Sequence, residues 1–196
     1  MAEPDPVQRE ISISSVFDEP CDKSDVALVV EGRSLHVNKA VLATASDFFD
    51  TMFNGNFKEK QEREVPLPGK RYTDIVDMLL CIYPSELRPV TKATVDKMLE
   101  LADEYQIKSL KRKCEEFLLR VCKMSKKEKK DVTHALYLAD KYSMPNVLKV
   151  TIHIVKQYKF RDAGLCDFCL EQEQDFLNLG NETKLNLMAE RIAYLE

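Results

Sequence analysis

Glycine is scarce, with five in 196 residues, and none of them builds a loop able to cradle a phosphate. No Gly-x-Ser-x-Gly elbow occurs. The three histidines, His36, His134 and His153, are scattered and stand in no nucleophile-activating context. The expectation is a protein without catalysis of its own and without a cofactor. No apolar run approaches the roughly 20 residues that span a bilayer, so no membrane partner is expected. A basic excess is missing too: 29 Lys and Arg against 33 Asp and Glu leave a net charge of −4, which argues against nucleic acid as a partner. The local basic run Lys126-Lys127-Glu128-Lys129-Lys130, with Lys111-Arg112-Lys113 upstream, is diluted by Glu115 and Glu116 and lacks interleaved aromatics. It reads as a solvated linker rather than a nucleic-acid patch. The opening MAEPDPVQRE has no apolar signal core. The expected location is cytoplasmic, nuclear or both.

Cysteine is present without a framework. The six positions, 21, 81, 114, 122, 166 and 169, show no regular spacing, and several fall inside apolar periodic segments. Reduced thiols acting as small hydrophobes are the expectation. Cys166-x-x-Cys169 suggests zinc, but a structural site takes four ligands and no second pair accompanies it. Two core thiols, and no metal, are expected there.

The remaining residues supply a real core, since 44% of the chain is hydrophobic. Residues 1–20 are polar, and 1–23 are expected to form a flexible N-terminal segment. Asp25–Val30 is rich in β-branched residues and reads as a strand, turned at Glu31-Gly32-Arg33 with Gly32 at positive φ, and returning over Ser34–Val37. Asn38 is a helix N-cap. From Lys39 to Phe53, the residues Val41, Ala45, Phe48, Phe49, Met52 and Phe53 make one broad apolar stripe, and the spacing predicts a single helix closed by a left-handed cap at Asn54-Gly55. Phe48 and Phe49 cannot both face inward. Glu64–Pro68 is a short strand whose prolines suit a sheet edge. Tyr72–Tyr83 is a second helix, stopped by Pro84. Beyond Thr91 the pattern is helical: 94–105, 107–122, 131–142, 145–159, and two shorter helices within 162–196, the last with Leu185, Met188, Ile192 and Leu195 on one face.

One phrase is written twice. Leu101-Ala102-Asp103-Glu104-Tyr105 returns 37 residues later as Leu138-Ala139-Asp140-Lys141-Tyr142. After each tyrosine an apolar residue, Ile107 or Met144, restarts the stripe. Each copy reads as a helix–turn–helix hairpin, in which the small alanine permits close approach and the aspartate and tyrosine mark the turn. Two copies are too few for a solenoid.

Across residues 25–120 the chain resembles the BTB (POZ) family. The residues that carry the likeness are Asp25-Val26-Ala27-Leu28-Val29-Val30-x-Gly32, Leu35-x-Val37-x-Lys39-Ala40-Val41-Leu42-Ala43, Ser46-x-x-Phe49-x-x-Met52-Phe53, the helix ending Ile82-Tyr83, Leu101-Ala102-Asp103-x-Tyr105 and Lys113-Cys114-Glu115. Asn38 stands where many members carry histidine. The second repeat, over about 131–158, resembles the 3-box hairpin that follows the BTB domain in cullin-3 adaptors of the speckle-type POZ and MATH–BTB kind. Residues 160–196 resemble a shortened BACK-like remainder.

The resemblance implies an α+β fold: a small three-stranded sheet packed on helices over 24–122, then an all-helical extension of a hairpin over 123–159 and short helices over 160–196. It implies a homodimer, with Val41, Leu42, Ala45 and Phe48 at the seam. It implies binding to the N-terminal domain of cullin-3 through Met52, Tyr83 and a hydrophobic–x–Glu motif, matched by Phe57-Lys58-Glu59. An exposed aromatic beside a charge suits a binding hot spot; the alternative is a polar loop whose phenylalanine folds back onto the core. Asp25 and Lys39 occupy the positions of an opposed charge pair, expected to be partly buried and structural rather than a ligand pocket. The implied role is a substrate-recruiting subunit of a ubiquitin ligase. With no MATH, Kelch or zinc-finger pattern in the sequence, the substrate protein is unknown, and a dimerising scaffold that pairs with other BTB proteins stays open beside the adaptor.

Overall fold

The computed structural model describes residues 16–55, 62–124, 129–158, 170 and 173–196. It begins with a tight antiparallel hairpin, β1 (Val26–Val30) and β2 (Arg33–Val37), in which Val30 lies opposite Arg33. Both turn residues are left-handed, Glu31 at φ 51° and Gly32 at φ 75°, the geometry whose twist matches the strands it joins. The Glu31 side chain also acts at long range, its carboxylate accepting the Tyr72 amide N–H at 2.9 Å. Strand β3 (Glu64–Pro66) adds parallel to β1, so the order is β2-β1-β3. Pro66 sits on the edge strand, where a missing N–H costs nothing.

The helix expected over 39–53 is two helices, α1 (Lys39–Ala45) and α2 (Asp47–Asn54). Asn38 caps the first, its side-chain oxygen accepting from Val41 N–H at 3.1 Å. Ser46 breaks the run. Its backbone is extended, at φ −141° and ψ 120°, and it closes α1 and opens α2 at once. Its hydroxyl accepts from Phe49 N–H at 3.1 Å and donates to the Tyr105 carbonyl at 2.5 Å. The second bond explains the break, because a continuous helix would aim that hydroxyl elsewhere and leave a buried carbonyl bare. The left-handed cap expected at Gly55 is also absent, since Gly55 is extended at φ −72°.

Helix α3 (Tyr72–Ile82) is buried over most of its length. The residue before it, Arg71, makes no side-chain cap bond, so the Glu31 carboxylate on the Tyr72 amide caps it from the β1–β2 turn. Helices α4 (Val95–Glu104) and α5 (Lys108–Met124) form the first hairpin; α6 (Lys129–Lys141) and α7 (Pro145–Val155) form the second. The written repeat is a repeated backbone. Gln106 and Ser143 both stand at φ 52°. Ile107 N–H reaches the Ala102 carbonyl and Met144 N–H the Ala139 carbonyl, each at 2.8 Å; Gln106 N–H reaches Asp103 and Ser143 N–H reaches Asp140, each at 3.3 Å. This is the Schellman closure, with the apolar residue after the turn buried in both copies.

The chain divides into two compact units, Met1–Lys113 and Cys114–Glu196, with the boundary inside α5. Leu28, Leu35, Leu42, Phe49, Ile75 and Met98 are among the fully buried residues of the first. The second closes around Val132, Leu136, Val155, Phe176 and Leu187, and adds α8 (Gln174–Leu177) and α9 (Asn181–Leu195). Asp140 of the second repeat starts α9, accepting from Gly180 N–H at 2.7 Å and Thr183 Oγ1–H at 2.5 Å.

Candidate protein-interaction site

The α1–α2 pair sorts its apolar stripe into two sides. Phe49 is fully buried, stacked on Tyr105 at 5.2 Å and on Phe53 at 5.8 Å between ring centroids. Phe48 turns the other way and is 37% exposed, its ring edge against Phe49 and Tyr105. Leu42 is fully buried, so its side chain belongs to the core behind the surface on which Val41 and Ala45 lie half-buried. Around Phe48 the rim is polar and acidic. Thr44 and Thr51 bond back to the helix, Asp47 pairs with Lys108 at 2.6 Å, and Asp50 holds Asn54 at 2.7 Å. An aromatic inside a polar rim is the usual anatomy of a protein-binding patch.

Met52 is half-buried. Tyr83 is half-buried and fixed by two contacts: its hydroxyl accepts Asn38 N–H at 2.8 Å, and its ring meets Phe17 edge-on at 5.0 Å. Burial pushes its pKa up, with the Asn38 amide pulling the other way. Phe57 and Glu59 lie outside the described residues.

The partly buried pair of opposed side-chain charges expected at Asp25 and Lys39 differs here: the contact is between the Asp25 carboxylate and the Lys39 backbone. Asp25 is exposed, and its carboxylate accepts Lys39 N–H at 2.7 Å, placing a negative charge on the first turn of α1. The Lys39 ammonium donates to the Glu62 carbonyl at 3.1 Å and lies 5.4 Å from the Phe53 ring centre. The contact thus joins β1, α1 and the entry to β3, and ties down the base of the α1–α2 surface.

Sequence reasoning passed over two features of the second unit. One is an open groove of about 1000 Å³ lined by Leu148, Ile152, His153, Thr183 and Asn186 among others. The other is the exposure of the apolar stripe on α9. Periodicity reports that a face is apolar and is silent on what covers it. Among the described residues no group of three or more His, Cys, Asp and Glu is placed to hold a metal, and no helix is long and apolar enough to cross a membrane. Cys81 and Cys122 are buried free thiols, Cys21 is an exposed one, and Cys114 is buried; Cys166 and Cys169 fall outside the described residues.

The family model described as BTB/POZ domain matches residues 15–121. The chain belongs to the BTB/POZ family. Its relatives include the BTB and MATH domain-containing protein 36 of Caenorhabditis elegans, 37% identical over 108 residues, which covers 55% of this chain and 33% of that protein. The BTB and MATH domain-containing protein 38 of the same organism is 29% identical over 164 residues, covering 84% of this chain and 39% of the relative. This BTB chain therefore spans about a third of the length of those relatives. Among solved structures, the BTB domain of human gigaxonin is 28% identical and matches 60% of this chain and 96% of its own, with a TM-score of 0.42.

Proposed function

We propose that this BTB protein is a non-enzymatic, homodimeric adaptor that binds the N-terminal domain of cullin-3 and recruits a substrate protein to the ligase. The observation that carries the reading is the second hairpin. Helices α6 and α7 repeat the α4–α5 turn bond for bond, directly after the family match ends at 121. A 3-box belongs there in the adaptors this chain resembles. On this reading the BTB domain covers 24–122, the 3-box-like hairpin 123–159 and a BACK-like remainder 160–196. Cullin-3 contacts Met52, Phe57, Glu59, the surface around Tyr83, and the second hairpin. The dimer seam uses Val41, Ala45 and Phe48, with Leu42 supporting them from the core. The substrate docks on residues 1–23, the C-terminal helices or an exposed BTB face. The adaptor does no chemistry; it raises the effective concentration of substrate lysines at the ubiquitin donor.

Calorimetry against the cullin-3 N-terminal domain tests this. Wild-type chain is expected to bind with submicromolar affinity, and Phe57→Ala and Glu59→Ala to bind at least tenfold more weakly, about 1.4 kcal/mol, while circular dichroism shows both folded. Absence of binding by a folded, dimeric wild-type chain overturns the adaptor and leaves a dimerising scaffold.

A further inference from the structure

The loop that leaves α3 holds a leucine in a place that suits neither its backbone nor its side chain. Among the described residues four positions other than glycine have positive φ: Glu31, Leu87, Gln106 and Ser143. Three of them are polar. Leu87, at φ 43°, is apolar. It is also 58% exposed, the most exposed large apolar side chain described in the first compact unit. Glycine or asparagine enters the left-handed region at less cost, and a polar side chain suits water better. The turn does not call for leucine, and neither does the core. The loop around it is stiff. Leu87 N–H and Glu86 N–H both reach the Tyr83 carbonyl, at 3.0 and 3.1 Å, and Arg88 N–H reaches the Leu80 carbonyl at 2.9 Å. Arg88 pairs with Asp77 at 3.1 Å, and Val90 is buried. Pro84 and Pro89 fix φ on either side.

We propose that Leu87 is a binding anchor that enters an apolar pocket on the cullin-3 N-terminal domain, beside the contact made by Tyr83. Strain that the surrounding structure holds in place collects at functional sites. An apolar side chain already fixed on a stiff loop loses little freedom on binding, so more of its burial appears as affinity. Position selects the partner: the bonds of Leu87 and Glu86 to the Tyr83 carbonyl root the loop in a residue of the cullin-3 surface. The choice of partner rests on the adaptor reading. Neither apolar periodicity nor the hydrophobic–x–Glu motif marks Leu87, because one leucine in a polar loop has no period.

Leu87→Asn in the full chain tests the assignment, because asparagine accepts positive φ and removes only the apolar anchor. Calorimetry against the cullin-3 N-terminal domain and urea unfolding are run on the same samples. Leu87→Asn is expected to bind roughly tenfold more weakly than wild type with a midpoint no lower, and Leu87→Met, which keeps an apolar side chain, to bind within about threefold of wild type. Equal binding by Leu87→Asn and wild type overturns the anchor and leaves the adaptor reading standing. Weaker binding that comes with a lower midpoint overturns it as well, since the leucine then serves the fold. So does a Leu87→Met chain as weak as Leu87→Asn. A folded wild-type chain that does not bind at all overturns the adaptor reading, and the assignment of Leu87 to that partner falls with it.

Discussion

Gln106 and Ser143 hold φ at 52°, each with a side chain, at the point where a helix must end and the chain reverse. A Cβ in that conformation crowds the following carbonyl at a cost of about 1–2 kcal/mol. Glycine removes the crowding and gives back about 0.4–1 kcal/mol through the greater freedom of the unfolded chain. Ser143→Gly is therefore expected to stabilise the protein by about 0.5–1 kcal/mol, and Gln106→Gly by a similar amount. Ser143→Val, β-branched at a left-handed position, should destabilise it. Urea unfolding midpoints of the three variants decide; a loss of stability in both glycine variants would mean that the side chains contribute more than the turn. The neighbouring aspartates show how equal residues diverge in use. Asp103 pairs with Lys111 at 3.5 Å on the surface, whereas Asp140 holds the start of α9. The turn is a local property and was legible in the sequence. The second use of Asp140 depends on residues 40 positions away and was not.

At the scale of elements, the break between α1 and α2 is the feature that the periodic pattern hid. Val41, Ala45, Phe49 and Phe53 keep helical phase straight through Ser46, so the apolar periodicity does not announce an interruption. Ser46 followed by Asp47 is a local helix-start signal, and the contact that fixes the break is tertiary: the Ser46 hydroxyl meets a carbonyl 59 residues away, and it is 2% exposed there. Ser46→Ala removes the α2 cap and strips the Tyr105 carbonyl of that partner. The expected loss is about 1–3 kcal/mol, read from the urea midpoint, and Ser46→Thr should recover part of it. An unchanged Ser46→Ala midpoint would show that a continuous helix forms at no cost. The same limit governs the candidate site. The sequence tells that Val41, Leu42, Ala45 and Phe48 are apolar, and only packing separates Leu42, enclosed by its own core, from Phe48 at the surface. Strands β1 and β2 and the Asn38 cap were legible because their causes are local: β-branched residues, a two-residue turn and a short polar side chain at a helix start. The α9 stripe was legible as a pattern, but its exposure depends on which neighbours reach it.

For the whole molecule, the groups that burial perturbs most all respond to alkali, and they lie in both compact units. Burial pushes the Cys81 and Cys122 thiols from 9.0 up to about 11. It pushes the Tyr158 phenol up to about 12, and that of Tyr72 to about 12 with help from a hydrogen bond to Asp18. Tyr105, enclosed by Phe48 and Phe49, is raised as well, again by burial. Each of these groups is neutral when protonated, so the folded state holds its proton at a pH where the unfolded chain has released it. Between the unfolded and folded values the folded state binds more protons, and stability falls as pH rises. The contribution is complete below about pH 9 for the thiols and below about pH 10 for the phenols. It is lost as pH climbs through about 11 for Cys81 and Cys122, then about 12 for Tyr72 and Tyr158. Unfolding midpoints between pH 8 and 12 should therefore fall in two overlapping stages, thiols first. Cys81→Ala and Cys122→Ala should flatten the first stage, though each variant starts lower because it opens a cavity. Phenolate absorbance recorded on the same samples should lag in the folded protein and jump on unfolding. A midpoint that stays level from pH 9 to 11 would mean that those two thiols ionise as freely in the folded chain as in water, and that the cores around them admit solvent.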